Sequence, residues 1–312
     1  MALMGIYLNV NTAHLSDYLH WDQLSHAENW LLFEKNLGAY VCIDKVALSR
    51  GEFYAVLINK EVHSGKGSII GIIKGTDVCT VNSVLLKLSR RRRYQVREIT
   101  LDMPPNMEQI ARTCFPAAKR VTDRFHTQKL VYEAVQEIRV KARWEDLDEE
   151  SIQIAYAKAC GKMYHAPVFA NGDTRKQLPA RSIYLLYKKE SLWTQSQRIR
   201  AKILFKEYPD IKKGYYMAMR LGSIYHQCKF KDMALTRLAR WYDEVDKLGF
   251  LTFGRVARSI QTHYLNIINF FERRATNAAA ESFNAKIKAF RAQFRGVRDK
   301  AFFLYRLAKL YA

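Results

Sequence analysis

AYVCIDKVALSRGEFYAVLINKEVHSGKGSIIGIIK, residues 39–74, is the stretch from which the fold is read. AYVCID (39–44) is an apolar run that ends on an acid, and Ser49-Arg50-Gly51 is a turn signal. EFYAVLIN (52–59) is rich in β-formers, and after a loop with Gly65 and Gly67 comes SIIGIIK (68–74). Short loops between successive runs predict an antiparallel meander of three strands. Downstream the period changes. Val78, Val81, Leu85 and Leu88 recur at helical spacing over Asp77–Arg90, with Thr76 or Asp77 as cap. VREITLD (96–102) reads as a strand, Asn106–Cys114 as a short helix behind Pro104-Pro105, and AAKRVTD (117–123) as another strand. The order is β-β-β-α-β-α-β, an α/β class. From Phe125 onward helical periodicity dominates, with breaks near His165–Asp173 and Gly249–Gly254. Upstream, residues 1–38 read as a lead-in, with one short helix expected around His26, Trp30, Leu31, Leu32 and Phe33.

The 312 residues are 49% hydrophobic and 12% aromatic, enough for a packed core, which excludes a disordered chain. The 51 Lys+Arg outnumber the 30 Asp+Glu, a net charge of +21. A folded, aromatic-rich chain with that excess is suited to neutralising a polyanion, and nucleic acid supplies the densest matching charge. Cys42, Cys79, Cys114, Cys160 and Cys228 are widely spaced and form no CxxC, which argues against disulfides and a structural zinc site. No apolar run reaches the ~18 residues a membrane span needs. The first residues lack the basic, apolar and small-residue pattern of an export signal. A soluble protein of a reducing cytoplasm is expected, with no membrane partner.

Asp44, Asp102 and Asp123 each follow an apolar strand. Strand-end aspartates are often turn formers. Three in succession in a basic chain also fit carboxylates gathered on one sheet edge, where a hard divalent cation relieves their repulsion. A further carboxylate is available in RRATNAAAESFNAKIKAFRAQFRGVR (273–298). Thr276 or Asn277 can cap a helix beginning near Ala278, which leaves Glu281 in its first turn. The helix dipole favours an acid there for structural reasons alone. Phe283, Ile287 and Phe290 can face a core, while Lys286, Lys288, Arg291, Arg295 and Arg298 present charge.

The strings ITLDMPPNM (99–107), RVTDRFHTQKL (120–130), NGDTRKQLPARS (171–182) and TNAAAESFNAKIKAFRAQFRGVRD (276–299) resemble DDE-type insertion-sequence transposases of the ISL-three family, Aon-type subgroup. The resemblance runs in order from about Leu15 to the C-terminus. It implies a ribonuclease H-like mixed sheet interrupted by a large all-helical insertion before the C-terminal catalytic helix. The implied divisions are a lead-in at 1–38, a catalytic domain of 39–129 and 276–312, and an insertion at 130–275. The family's three acids fall on Asp44, Asp102 and Glu281, as catalytic and metal-holding residues for Mg2+ or Mn2+. Glu281 follows Asp102 by 179 positions, too far for a minimal fold of this type, which is why an insertion is expected. Asp123 is the rival for the second position; strand order favours Asp102, leaving Asp123 and His126 as supporting or DNA-contacting residues.

The implied activity is metal-dependent cleavage of transposon ends and strand transfer into target DNA by a bacterial, nucleoid-associated enzyme acting as a homodimer or larger. A nuclease or resolvase of the same fold without strand transfer, and a non-catalytic DNA-binding remnant, stay open. The remnant is motivated by Lys45, where the family commonly has Glu, although strand alternation sends Lys45 to the face opposite Asp44. No complete DNA-reading module is evident in the lead-in, so a separate protein from an upstream frame, or a fusion made by frameshifting, is expected to supply one. Candidate DNA contacts are Arg90, Arg91, Arg92, Arg93, Lys176, Lys286, Lys288, Arg291 and Arg295. Arg175 stands beside Lys176 in a string that also suits a helix-capping turn. Trp193 is a candidate for stacking a flipped base, although aromatics at helical spacing are usually core.

Overall fold

The computed structural model describes residues 12–49, 51–62, 65–275, 278–293 and 299–312. The chain divides into two compact units, one built from residues 1–123 and 273–312, the other from 124–272.

The first unit is a six-stranded mixed sheet with helices on both faces. In chain order its elements are helix α1 (Thr12–Leu19), β1 (Trp30–Leu32), β2 (Tyr40–Ser49), β3 (Glu52–Asn59), β4 (Ile69–Lys74), α2 (Val78–Leu85), α3 (Arg90–Gln95), β5 (Glu98–Leu101), α4 (Pro105–Cys114) and β6 (Lys119–Thr122). After the second unit come α12 (Ala278–Gln293) and α13 (Lys300–Tyr311). The strand order is β1-β4-β3-β2-β5-β6. β2, β3 and β4 form the expected antiparallel meander, and β5 and β6 continue it in parallel with β2.

Period-2 alternation builds two cores from one sheet. Val41, Ile43, Ala55 and Leu57 pack with α2 and α4, while Cys42, Val46, Val56 and Ile58 pack with α12 and α13. Asp77 caps α2 by accepting the Thr80 N–H at 2.8 Å. α1 closes the second core through Tyr18, whose ring meets Phe302 edge-on at 5.1 Å.

Three expectations are corrected. The lead-in stretch around Trp30 is strand rather than helix: β1 pairs antiparallel with β4, and Leu31 is fully buried. The open edge of β4 is a hydrogen-bonding template that a short apolar run satisfies better than an isolated helical turn. The helix expected over Asp77–Arg90 stops at Leu85, and the four arginines start α3, a helix of their own. β2 does not end at Asp44 but continues to Ser49, so Asp44 lies in mid-strand opposite Val56.

The second unit is helical apart from one isolated bridge, Val168 to Thr174. It opens with the 36-residue α5 (Arg124–Ala159) and continues through α6 (Gln177–Ala180), α7 (Gln195–Glu207), α8 (Pro209–Gln227), α9 (Lys231–Leu248), α10 (Leu251–Thr262) and α11 (Tyr264–Arg273). A Thr194–Gln197 capping box starts α7, and Gly249 ends α9 in the left-handed conformation that glycine tolerates, φ 67°. Trp241 and Tyr215 are fully buried at its centre.

Candidate active site

Register decides where the acids stand. Cys42 of β2 pairs with Thr100 of the parallel β5, and Leu101 of β5 pairs with Thr122 of β6. Continuing each register brings Asp44, Asp102 and Asp123 to one level across three neighbouring strands. The Asp123 N–H donates to the Leu101 carbonyl at 3.1 Å, which keeps that level past the end of β6. The three acids also share a face. Cys42 belongs to the core with α12 and α13, and Asp44 is two residues on. Ile99 and Leu101 belong to the opposite core, so Thr100 and Asp102 turn towards the α12 side. Asp44 and Asp123 are buried, and Asp102 is half-buried.

The buried Cys42 thiol is pushed up to about 12, first by burial, with Asp44 and Asp123 adding to the rise. The Lys60 ammonium and the Ala280 N–H oppose it. The charges of two of the aspartates and of Lys60, and the N–H of Ala280 in α12, thus all act on one thiol. Lys60 Nζ donates to Thr100 Oγ1 at 2.7 Å and to Glu98 Oε1 at 3.2 Å, an ion pair largely shielded from solvent.

α12 begins at Ala278 and buries Ala280, Phe283 and Ile287, the apolar face the sequence predicts. The proposed cap residues Thr276 and Asn277 lie outside the described residues. Glu281 sits in the first turn and is exposed. One turn later Asn284 Nδ2 donates to Asp44 Oδ2 at 2.6 Å, and Asp44 Oδ1 accepts the Lys45 N–H at 2.7 Å. Residues three apart on a helix are surface neighbours, so the contact at Asn284 brings the Glu281 side of α12 to Asp44. Among the described residues no three Asp, Glu, His or Cys side chains form a group that could hold a metal. The structure therefore aligns the strand acids and lays α12 beside Asp44, but does not close a three-carboxylate cluster. Lys45 points away from Asp44, with its Nζ 3.6 Å from the centre of the Phe53 ring. His126 lies in the first turn of α5, in the second unit, edge-on to the Phe125 ring.

The candidate DNA contacts divide by partner. Arg93 donates to the carbonyls of Leu88 and Cys114 at 3.1 and 2.9 Å, and Arg92 to that of Glu34 at 3.2 Å. Those two guanidiniums tie α3 to its surroundings, while Arg90 and Arg91 are exposed. Lys176 pairs with Glu150 at 2.6 Å and Arg175 with Asp146 at 3.0 Å. Asp173, fully buried, receives Arg181 at 2.6 Å and Arg200 at 2.7 Å, so the NGDTRKQ string is knotted into the helical unit. Lys286 and Lys288 are exposed on α12, and the Arg291 guanidinium lies 5.0 Å from the Phe303 ring. Arg295 and Arg298 lie outside the described residues. Trp193 is a core residue: it is buried, donates its Nε1–H to the Leu185 carbonyl at 2.8 Å and packs on Tyr215.

Two members of the site escape sequence reading. Asn284 follows Glu281 by three positions, and that helical spacing is a usable signal. Lys60 carries none, because its partners Glu98 and Thr100 are joined to it only by the sheet.

A family model described as Transposase, that of the ISL-three DDE type, matches residues 41–307. No curated protein matches the chain significantly. Among the described residues no helix is long and apolar enough to cross a membrane. The match takes in β2 from its second residue, β3 to β6, the whole helical unit, α12 and most of α13, and on that extent the chain belongs to the ISL-three family of DDE transposases.

Proposed function

We propose that this chain cleaves transposon ends and joins them to target DNA by metal-dependent phosphoryl transfer, with Asp44, Asp102 and Glu281 as the acidic triad. The observation that carries the reading is the alignment of Asp44 and Asp102 on neighbouring parallel strands, at one level and on the face that α12 covers. A β4-β3-β2-β5-β6 order, with the first three strands antiparallel and the last two parallel, supports a ribonuclease H-like sheet to which β1 is added at the edge. The Arg124–Glu272 unit, which lies between β6 and α12 in the chain, is read as the helical insertion.

The donor chemistry fits a hard divalent cation. Asp44, Asp102 and Glu281 offer carboxylate oxygens, the hard donors that such ions take. That set suits Mg2+ or Mn2+ better than zinc. Bound divalent ions would supply a more acidic water and charge neutralisation at the phosphodiester. The protein's own part is positioning. The sheet holds Asp44 and Asp102 at fixed separation, Asn284 and the Lys45 N–H fix the orientation of the Asp44 carboxylate, and α12 carries Glu281 to the same side. Exposed Arg90, Arg91, Lys286 and Lys288 are read as phosphate contacts. Duplex DNA is the substrate, and a homodimer or larger assembly is the form in which this reading has the chain act. Lys45 gives no support to an inactive remnant, because it stacks on Phe53 away from the acids.

The test is Mg2+-dependent nicking and strand transfer on a transposon-end duplex, comparing wild type with Asp44→Asn and Glu281→Gln and measuring DNA binding in parallel. The amides keep shape but remove charge, so cleavage should fall by orders of magnitude while binding persists on the basic surface. Unchanged cleavage in Glu281→Gln would remove that residue from the triad. Cleavage without joining would reassign the chain as a nuclease.

A further inference from the structure

Asn284 has a divided environment. Its Nδ2 is committed to Asp44 Oδ2 at 2.6 Å, while its Oδ1 is buried and has no hydrogen-bond partner among the described residues. The amide cannot be turned around to relieve this, since a carbonyl oxygen placed against a carboxylate oxygen would repel it. Buried acceptors are nearly always satisfied, and those that are not call for an explanation such as an ion. The group left over is a neutral, hard oxygen beside a carboxylate, on the helix that carries Glu281. Divalent magnesium, manganese and calcium take oxygens of this kind alongside carboxylates.

We propose that Asn284 is a positioning residue of the cation site: it holds the Asp44 carboxylate in its binding orientation through Nδ2 and turns its own Oδ1 to the same cation as an additional neutral donor. This rests on the reading of Asp44 as a metal-holding residue. A purely structural amide would account for the bond to Asp44 and leave its buried Oδ1 to a water molecule. It would also carry no dependence on the ion.

The experiment titrates Mn2+ into the full-length protein without DNA, by calorimetry and by the loss of the free-ion paramagnetic signal. It compares wild type, Asp44→Asn, Asn284→Ala and Asn284→Asp, with melting temperature recorded in EDTA and in Mn2+. Removing a group that orients a metal ligand typically weakens metal binding 10–100-fold. Asn284→Ala should show a loss of that order, with DNA binding retained. Asn284→Asp places a second carboxylate against Asp44, so it should melt lower than wild type in EDTA and recover more than wild type when Mn2+ is added. If Asp44→Asn binds Mn2+ as wild type does, the reading of the site fails and the proposal with it. If Asp44→Asn loses Mn2+ while Asn284→Ala keeps wild-type affinity, the site stands and Asn284 has no part in it. If Asn284→Ala is too unstable to titrate, Asn284→Asp decides: an Mn2+ recovery no larger than that of wild type overturns the proposal.

Discussion

Replacing Asp173 by Asn tests whether the NGDTRKQ string contacts DNA or holds the helical unit together. The carboxylate is shielded from solvent, its side chain 1% exposed, and it accepts from Arg181, Arg200 and Asn171 at 2.6, 2.7 and 2.6 Å. Removing one partner of a buried ion pair costs ~3–5 kcal/mol, because the remaining charge stays desolvated. Arg181 is 53% exposed and can turn to water, so its share is at most ~1 kcal/mol; Arg200, 20% exposed, cannot easily do so. The lower end follows, about 3 kcal/mol. For a unit of this size each kcal/mol moves the melting temperature by ~2–4 °C, which gives a fall of roughly 6–12 °C.

The pH dependence has a definite sign. Burial works to raise the Asp173 pKa, but the bonds from Arg200 and Arg181 outweigh it and hold the carboxyl below its ordinary value. A depressed folded-state pKa means stability that is complete above the unfolded value, about 3.9, and lost as pH falls through the lower folded one. Wild type should show that acid loss, and Asp173→Asn should lack this component of it. The assay is calorimetry with tryptophan fluorescence, since Trp193 and Trp241 are buried in the same unit. A melting temperature within about 2 °C of wild type, no more than the shift expected from a single kcal/mol, together with weakened DNA binding, would overturn the structural role of Asp173 and return the string to the DNA interface.

Other predictions rest on the same kind of geometry. Trp193→Ala removes a buried ring and its hydrogen bond to Leu185, so it should cost ~3–5 kcal/mol; an undiminished melting temperature with impaired cleavage would instead favour base stacking. Arg90→Ala with Arg91→Ala should leave stability unchanged and reduce the slope of log affinity against log salt by ~0.9 for each phosphate that is no longer neutralised. Arg93→Ala should destabilise the fold, because it leaves the carbonyls of Leu88 and Cys114 without that donor; the contrast appears in parallel thermal melts. EDTA should abolish nicking while leaving binding to a labelled end duplex intact, and a loss of both would show that the cation is needed for the DNA-bound form itself.

Local pattern was enough for much of this protein. The meander of β2–β4, the two strands that follow, the helical run after Phe125 and the buried face of α12 were all legible, because alternation and helical period are written into neighbouring residues. The quoted strings carried the family, and the excess of Lys and Arg pointed to a polyanion. Tertiary structure decided what depends on residues far apart in the chain. β1 is a strand because β4 leaves an edge open 37 positions away from Leu32, a fact no local window contains. Arg93, Lys176 and Trp193 resemble ligands in sequence, and only the folded chain gives them their partners, the Cys114 carbonyl, Glu150 and the Leu185 carbonyl. Asp44, Asp102 and Asp123 could be named from the chain, but their common level and face come from the parallel register of three strands. The hydrogen bond from Asn284 to Asp44 spans 240 positions. Such pairings are set by packing free energy over the whole sheet, to which no single stretch of sequence has access.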